Sequence, residues 1–234
     1  MGSLFYVWSI MKKYNSEQIL SIVISAAAAY SEKLLNKHFL IIYQDRNSNN
    51  SYRYKEIGFR DYNFLHLTGL KTSMSASAFF SAATSDRLSV KQFTTDNKGK
   101  CIQKLNALPY LSDLLYNHCL IGDFINSGIS IRADYFTGDT RAVLSLGFRN
   151  GDTVDNPVSL YNEDIRKLTS PTNRVVAIYS KPYDAEKYET ITYSHSLYRE
   201  EQFKSAFPDL FPTVAPSVNE NSSNSQPDQA STTS

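Results

Sequence analysis

Residues 37–44 read KHFLIIYQ, residues 45–50 DRNSNN and residues 51–59 SYRYKEIGF. The first run is apolar and β-branched, the second is turn chemistry, and the third alternates with a period of two, so the three together predict a β-hairpin. Immediately upstream, residues 17–36 place Ile19, Leu20, Val23, Ile24, Ala27 and Leu34 at helical spacing behind Ser16, a good N-cap residue. A helix packed beside a hairpin argues for an α+β domain.

The rest of the chain extends that reading. Residues 61–69 form a short helix stopped by Gly69, where a left-handed C-cap suits glycine. Residues 75–86 are helical, and residues 97–119 predict a longer helix bent or broken at Pro109. Residues 128–136 (GISIRADYF) and 140–149 (TRAVLSLGFR) alternate and are joined by a turn at 137–139, and Asn150-Gly151 is a hairpin signal. Residues 156–168 read as a loop with a short helix, and residues 174–180 and 188–193 as two further strands. The expected fold is α+β: N-terminal helices and a hairpin packed on a mostly antiparallel, four-stranded C-terminal sheet. Residues 1–10 read as an N-terminal extension, 11–211 as one domain, and 212–234, rich in Pro, Ser, Asn and Gln, as a disordered tail.

Composition narrows the function classes. With 234 residues, 41% hydrophobic and 13% aromatic, the chain is globular and long enough to bury a core. Net charge is +1, but 14 basic against 7 acidic residues precede Leu111 and 10 against 16 follow it, which allows one localised anion-binding cleft and not a general nucleic-acid coat. Cys101 and Cys119 lie 18 residues apart on the expected helix, about 27 Å along its axis, too far for a disulfide. Two core thiols point to a reducing, cytoplasmic compartment. No Cys/His spacing suits zinc, no Gly-rich phosphate loop or nucleophile elbow occurs, and the apolar run 4–11 is too short to span a bilayer.

The most distinctive stretch is Phe64-Leu65-His66-Leu67-Thr68-Gly69, a histidine and a hydroxyl beside a helix stop. It resembles the F-x-HLTG-type signature of the phage-associated branch of the barnase–EndoU–colicin–RelE-like nucleases. The order of the surrounding pieces is similar too: an Ala/Ser/Phe helix, a segment with Lys98, Lys100 and Lys104, strands around Arg132 and Leu146-Gly147-Phe148, Asn156-Pro157, and a strand ending Ala177 to Lys181. The resemblance covers residues 14–195. It implies a barnase/RelE-like α+β domain with a metal-independent endoribonuclease site, no cofactor, an RNA substrate, and a cognate inhibitor protein as a further partner, with no membrane role.

Cleavage by attack of the RNA 2′-hydroxyl needs a proton acceptor, a proton donor and a cation for the extra charge on phosphorus. The residues assigned to it are His66 as base or acid, Arg132 and Lys181 as phosphate cations, and Thr68 and Tyr193 as polar helpers. Convergence of His66, Arg132 and Lys181 on one concave surface is expected if they share a phosphate. Each also has a plain structural reading: a helix-packing His66, a solvated Arg132, a strand-end Lys181. His38 and His118 read as structural or exposed, with His195 in reserve near the last strand. The competing function is a phage-encoded binding domain on the same fold, engaging a host protein or RNA without turnover.

Overall fold

The structure, a computed structural model, describes residues 14–49, 51–96, 99–125 and 133–212. The expected extension at 1–10, most of the tail and Arg132 lie outside the described residues. Helix α1 (Ser16–Lys33) starts one residue earlier than the Ser16 cap implies: Asn15 is the N-cap, accepting from the Gln18 amide while its own N–H donates to the Gln18 side chain. The stripe Ile19, Val23, Ala27 and Tyr30 is buried, and the Tyr30 hydroxyl donates to the Arg60 carbonyl at 2.8 Å.

Strands β1 (Lys37–Asp45) and β2 (Ser51–Gly58) form the expected hairpin. Helix α2 (Asp61–Thr68) ends at Gly69 with φ 73°, the left-handed stop read from the sequence. Helix α3 (Ala76–Thr84) follows, then α4 (Lys100–Ala107), which passes directly into a 3-10 helix at Leu108–Tyr116. The helix expected over 97–119 is therefore broken next to Pro109, which has no N–H to continue an α ladder.

The remaining strands are β3 (Leu120–Phe124), β4 (Tyr135–Asp139), β5 (Leu144–Arg149), β6 (Asn156–Tyr161), β7 (Thr169–Pro182) and β8 (Thr190–Ser194). All eight described strands join one antiparallel sheet in the order β2-β1-β7-β3-β4-β5-β6, with β8 also on β7. The four-stranded expectation is corrected here. The 14-residue β7 is central, and both its edges need partners. Strand β1 runs along one edge, so the hairpin belongs to the sheet and is not packed on it. Along the other edge β3 pairs with residues 169–174 and β8 with 177–180. The turn expected at 137–139 lies inside β4, because β3 and β5 pair with it on both sides, and Gly138 allows the close approach of the Leu144 carbonyl, 2.6 Å from where a Cβ would stand. Residues 156–161 form edge strand β6 and not a loop, a position where Pro157 needs no ladder donor.

The two faces of the sheet are covered differently. Helices α1 to α4 and the 3-10 helix pack on the side bearing Phe39, Ile41, Val175 and Ile178. On the other side, helix α5 (Glu200–Ala206) and its flanks bring Tyr198, Phe203 and Phe211 onto Leu40, Ile42, Val176 and Tyr179. Leu168 and Ile165 cover Ala133 and Phe136 on that same side of the sheet.

Candidate active site

Strands β3 and β8 follow one another along the same edge of β7. Between Arg174, the last partner of β3, and Ala177, the last partner of β8, the ladder has a two-residue gap bridged by single bonds from the Val175 N–H to Cys119 and from the His195 N–H to Val176. His118 enters this gap just ahead of β3, and His195 leaves it just after β8. Their ring centroids are 6.4 Å apart, and His118 also meets the Tyr193 ring edge-on at 6.3 Å. Tyr193 and His195 are two apart on one strand end, so alternation sends both side chains the same way. Two distant segments thus bring two imidazoles and a phenol together, and a third, β7, adds the charge of Arg174 nearby.

Local bonding fixes His195 in particular. Its backbone N–H donates to Val176 and its carbonyl accepts from Tyr198. Its Nδ1 accepts from the Leu197 amide at 3.1 Å, which places the proton of the neutral ring on Nε2. Burial holds the His195 pKa below the usual 6.5, and the positive charge of Arg174 and the nearby His118 push the same way. Burial raises the Tyr193 hydroxyl above 10.0, with Cys119 adding to the rise while Arg174 and Arg141 oppose it. The phenol is therefore a donor near neutral pH. Arg174 makes no ion pair with a carboxylate among the described residues, so its charge is uncommitted.

His66 and Thr68 occupy a separate place, the last turn of α2. The His66 ring is exposed at a cleft of about 500 Å³ shared with Lys71 and Lys104. The Lys104 amine donates to the His66 carbonyl at 2.6 Å. Burial lowers the Lys104 pKa, and burial followed by the Lys104 charge lowers that of His66. Thr68 is fully buried; its hydroxyl donates to Leu65 at 2.8 Å and accepts from the Leu70 amide at 3.1 Å. Those two bonds close the helix.

Lys181 lies toward the far end of β7, opposite His38. Its amine donates to the Glu186 carbonyl at 2.8 Å and sits 4.6 Å over the Tyr188 ring. Close by, the Arg60 guanidinium stacks 3.2 Å from the Tyr183 ring, and burial, Lys181 and Arg60 together depress the His38 pKa. Seven residues of strand separate Lys181 from Arg174, about 23 Å at the usual rise. No described contact joins His66, Lys181 and Tyr193 to one another. Of the assigned residues, Lys181 faces His38 across the ladder, and Tyr193 stands beside His118, itself next to His195. His118 carried no signal in the sequence, because it precedes a five-residue strand with no clear alternation.

A family model described as phage-Barnase-EndoU-ColicinE5/D-RelE like nuclease4 matches residues 22–197. The chain belongs to this nuclease-like family. The match runs from within α1 to just past His195, so it contains the sheet gap and the α2 cleft and stops short of α5. No curated protein and no solved structure matches the chain. Among the described residues no group of three or more His, Cys, Asp or Glu side chains could hold a metal ion, and no helix is long and apolar enough to cross a membrane. Cys101 and Cys119 are both buried free thiols, with burial raising the Cys101 pKa to about 11.

Proposed function

We propose that this chain is an endoribonuclease of phage or mobile-element origin that cleaves RNA by attack of the 2′-hydroxyl on its own phosphodiester, with His118 and His195 as the acid–base pair. The observation that carries this reading is the pair of imidazoles 6.4 Å apart at the sheet gap. Rings this close are near enough for one phosphate lying across their outer edges to be reached from both, as proton transfer requires. One ring takes the 2′-hydroxyl proton and the other protonates the departing 5′-oxygen. His195 takes its part in proton transfer once Nδ1 releases the Leu197 amide, because in the resting arrangement its one lone pair is bonded there and Nε2–H faces outward as a donor. Arg174 steadies the charge gathering on the phosphoryl oxygens, and the Tyr193 hydroxyl donates to one of them. The product of such a step is a 2′,3′-cyclic phosphate and a free 5′-hydroxyl, and no metal takes part.

A second location for the chemistry is favoured by one observation. His66 has an exposed ring in a cleft beside Lys104, a lysine whose pKa burial has lowered. In that arrangement His66 is the base and Lys104 the proton donor. Lys181 and Arg132 stay within the proposal as cations for the strand flanking the cut.

The test is incubation of the purified chain with total RNA and tRNA in EDTA, beside His118→Ala, His195→Ala and His66→Ala. Losses of roughly 10²- to 10⁴-fold in each of the first two, with a double variant little worse than either, are expected for a paired acid and base. Loss in His66→Ala alone moves the centre to the α2 cleft. No cleavage by concentrated wild-type protein refutes the enzyme reading and leaves the RNA- or protein-binding domain.

A further inference from the structure

A cleft of about 540 Å³ opens directly beside the sheet gap, between the 3-10 helix and the turn joining β4 to β5. Asn117, which lines it, is the residue before His118. Arg141, on its opposite wall, is near enough to oppose the upward shift of the Tyr193 hydroxyl. The cleft and the two histidines are therefore neighbours through two separate elements. Its walls divide by polarity: Leu114, Ala142 and Leu144 are apolar, while Asn117, Asp139 and Arg141 are polar. At its edge Tyr110 leaves 53% of its surface exposed, a large ring in a chain that buries Tyr30, Tyr135, Tyr179 and Tyr188 almost completely.

We propose that this cleft binds one unpaired nucleotide of the substrate, with its base against Tyr110 and its phosphate at Arg141, and that the substrate is therefore single-stranded RNA. The inference rests on the cleavage reading for the position of the cut, but not for the binding itself. An apolar wall with an exposed aromatic ring suits the face of a base, and a few polar groups opposite suit its edge and its sugar-phosphate. A base within an A-form duplex has both faces covered by its neighbours, so only an unstacked one can lie on the tyrosine.

The charges are compatible with an incoming phosphate. The carboxylate of Asp113 is held by Lys33. That of Asp139 accepts from the Arg141 backbone N–H at 2.7 Å and lies 3.7 Å from its Nε. Guanidinium carries five donors, so the two terminal nitrogens of Arg141 remain for a phosphate, and the side chain is 74% exposed. The Asn117 amide donates to the Asp113 carbonyl at 3.0 Å, which leaves its oxygen as an acceptor for a base N–H.

The experiment measures binding without cleavage. A fluorescent 2′-O-methyl RNA, which lacks the attacking hydroxyl, is titrated with wild-type protein by anisotropy as a single strand and as a duplex of the same sequence. The same titrations are run over a range of salt with Tyr110→Ala, Tyr110→Phe and Arg141→Gln, each first shown to unfold like the wild type. The single strand is expected to bind about tenfold tighter than the duplex or better, Tyr110→Ala to lose about tenfold, and Tyr110→Phe to keep the affinity, as one stacked base requires. Arg141→Gln should lower the slope of log affinity against log salt by about one phosphate contact. Equal binding of strand and duplex, or unchanged binding in Tyr110→Ala, overturns the proposal. Binding as described with no cleavage of ordinary RNA would instead sink the acid–base reading and leave this one standing.

Discussion

Gly69→Val is the substitution whose cost can be worked most directly from the structure. Gly69 turns the chain out of α2 at φ 73°, a region that costs an L-residue about 1–2 kcal/mol and a β-branched one at the upper end. A Cβ there would also stand 2.9 Å from Lys104 Cδ and 3.2 Å from the Cys101 Cα. The lysine stem can yield, but its amine is bonded to the His66 carbonyl, a charge-assisted bond of about 1.5–3 kcal/mol when lost outright. The backbone of Cys101, within α4, cannot yield cheaply. A total of about 2–4 kcal/mol follows, with about half of it for Gly69→Ala and less for Gly69→Asn, which tolerates the left-handed region. For a domain of this size that is a fall in Tm of roughly 5–15 °C. Urea denaturation followed by far-UV circular dichroism measures it against wild type under one buffer. A Val variant within ~0.5 kcal/mol of wild type would refute the account of this helix stop.

Two further outcomes are expected. Thr68→Val removes a fully buried hydroxyl bonded to Leu65 and Leu70, so it should cost about 1–2 kcal/mol of stability while leaving the rate of RNA cleavage per folded molecule unchanged; a rate loss beyond the folded fraction would make Thr68 catalytic instead. Acid should weaken the fold before its carboxylates protonate: His38, His66 and His195 all have folded pKa values below 6.5, so as pH falls through the unfolded value the unfolded chain takes up protons first and stability declines. The urea midpoint should drop between about pH 7.5 and about pH 5.5 in the wild type, and drop less when these three histidines are Gln; Asp164 and Glu200, whose pKa values are lowered by their basic partners, add their losses only at lower pH. An unchanged wild-type midpoint over that interval counts against the lowered pKa values of these rings.

The sequence by itself determined the local elements whose cause is local. The hairpin at 37–59, the amphipathic α1, the stop at Gly69 and the strands around 174–180 and 188–193 follow from period, turn chemistry and the special freedom of glycine, all of which act within a few residues. The HLTG stretch and the order of its neighbours likewise pointed to the nuclease family that the match over residues 22–197 shows. What escaped was set by distant partners. Residues 156–161 become a strand because β5 offers them an open edge, and residues 120–124 because β7 and β4 hold them on both sides. Gly138 lies in a strand because β3 and β5 pair with it from both sides. The site divides in the same way. His66 was legible as a residue beside a helix stop, whereas His118 and His195 become a pair only because one long strand takes two short partners in succession and leaves a gap between them. Only the tertiary structure could decide that, since the gap is a property of three strands' registers and of no single segment.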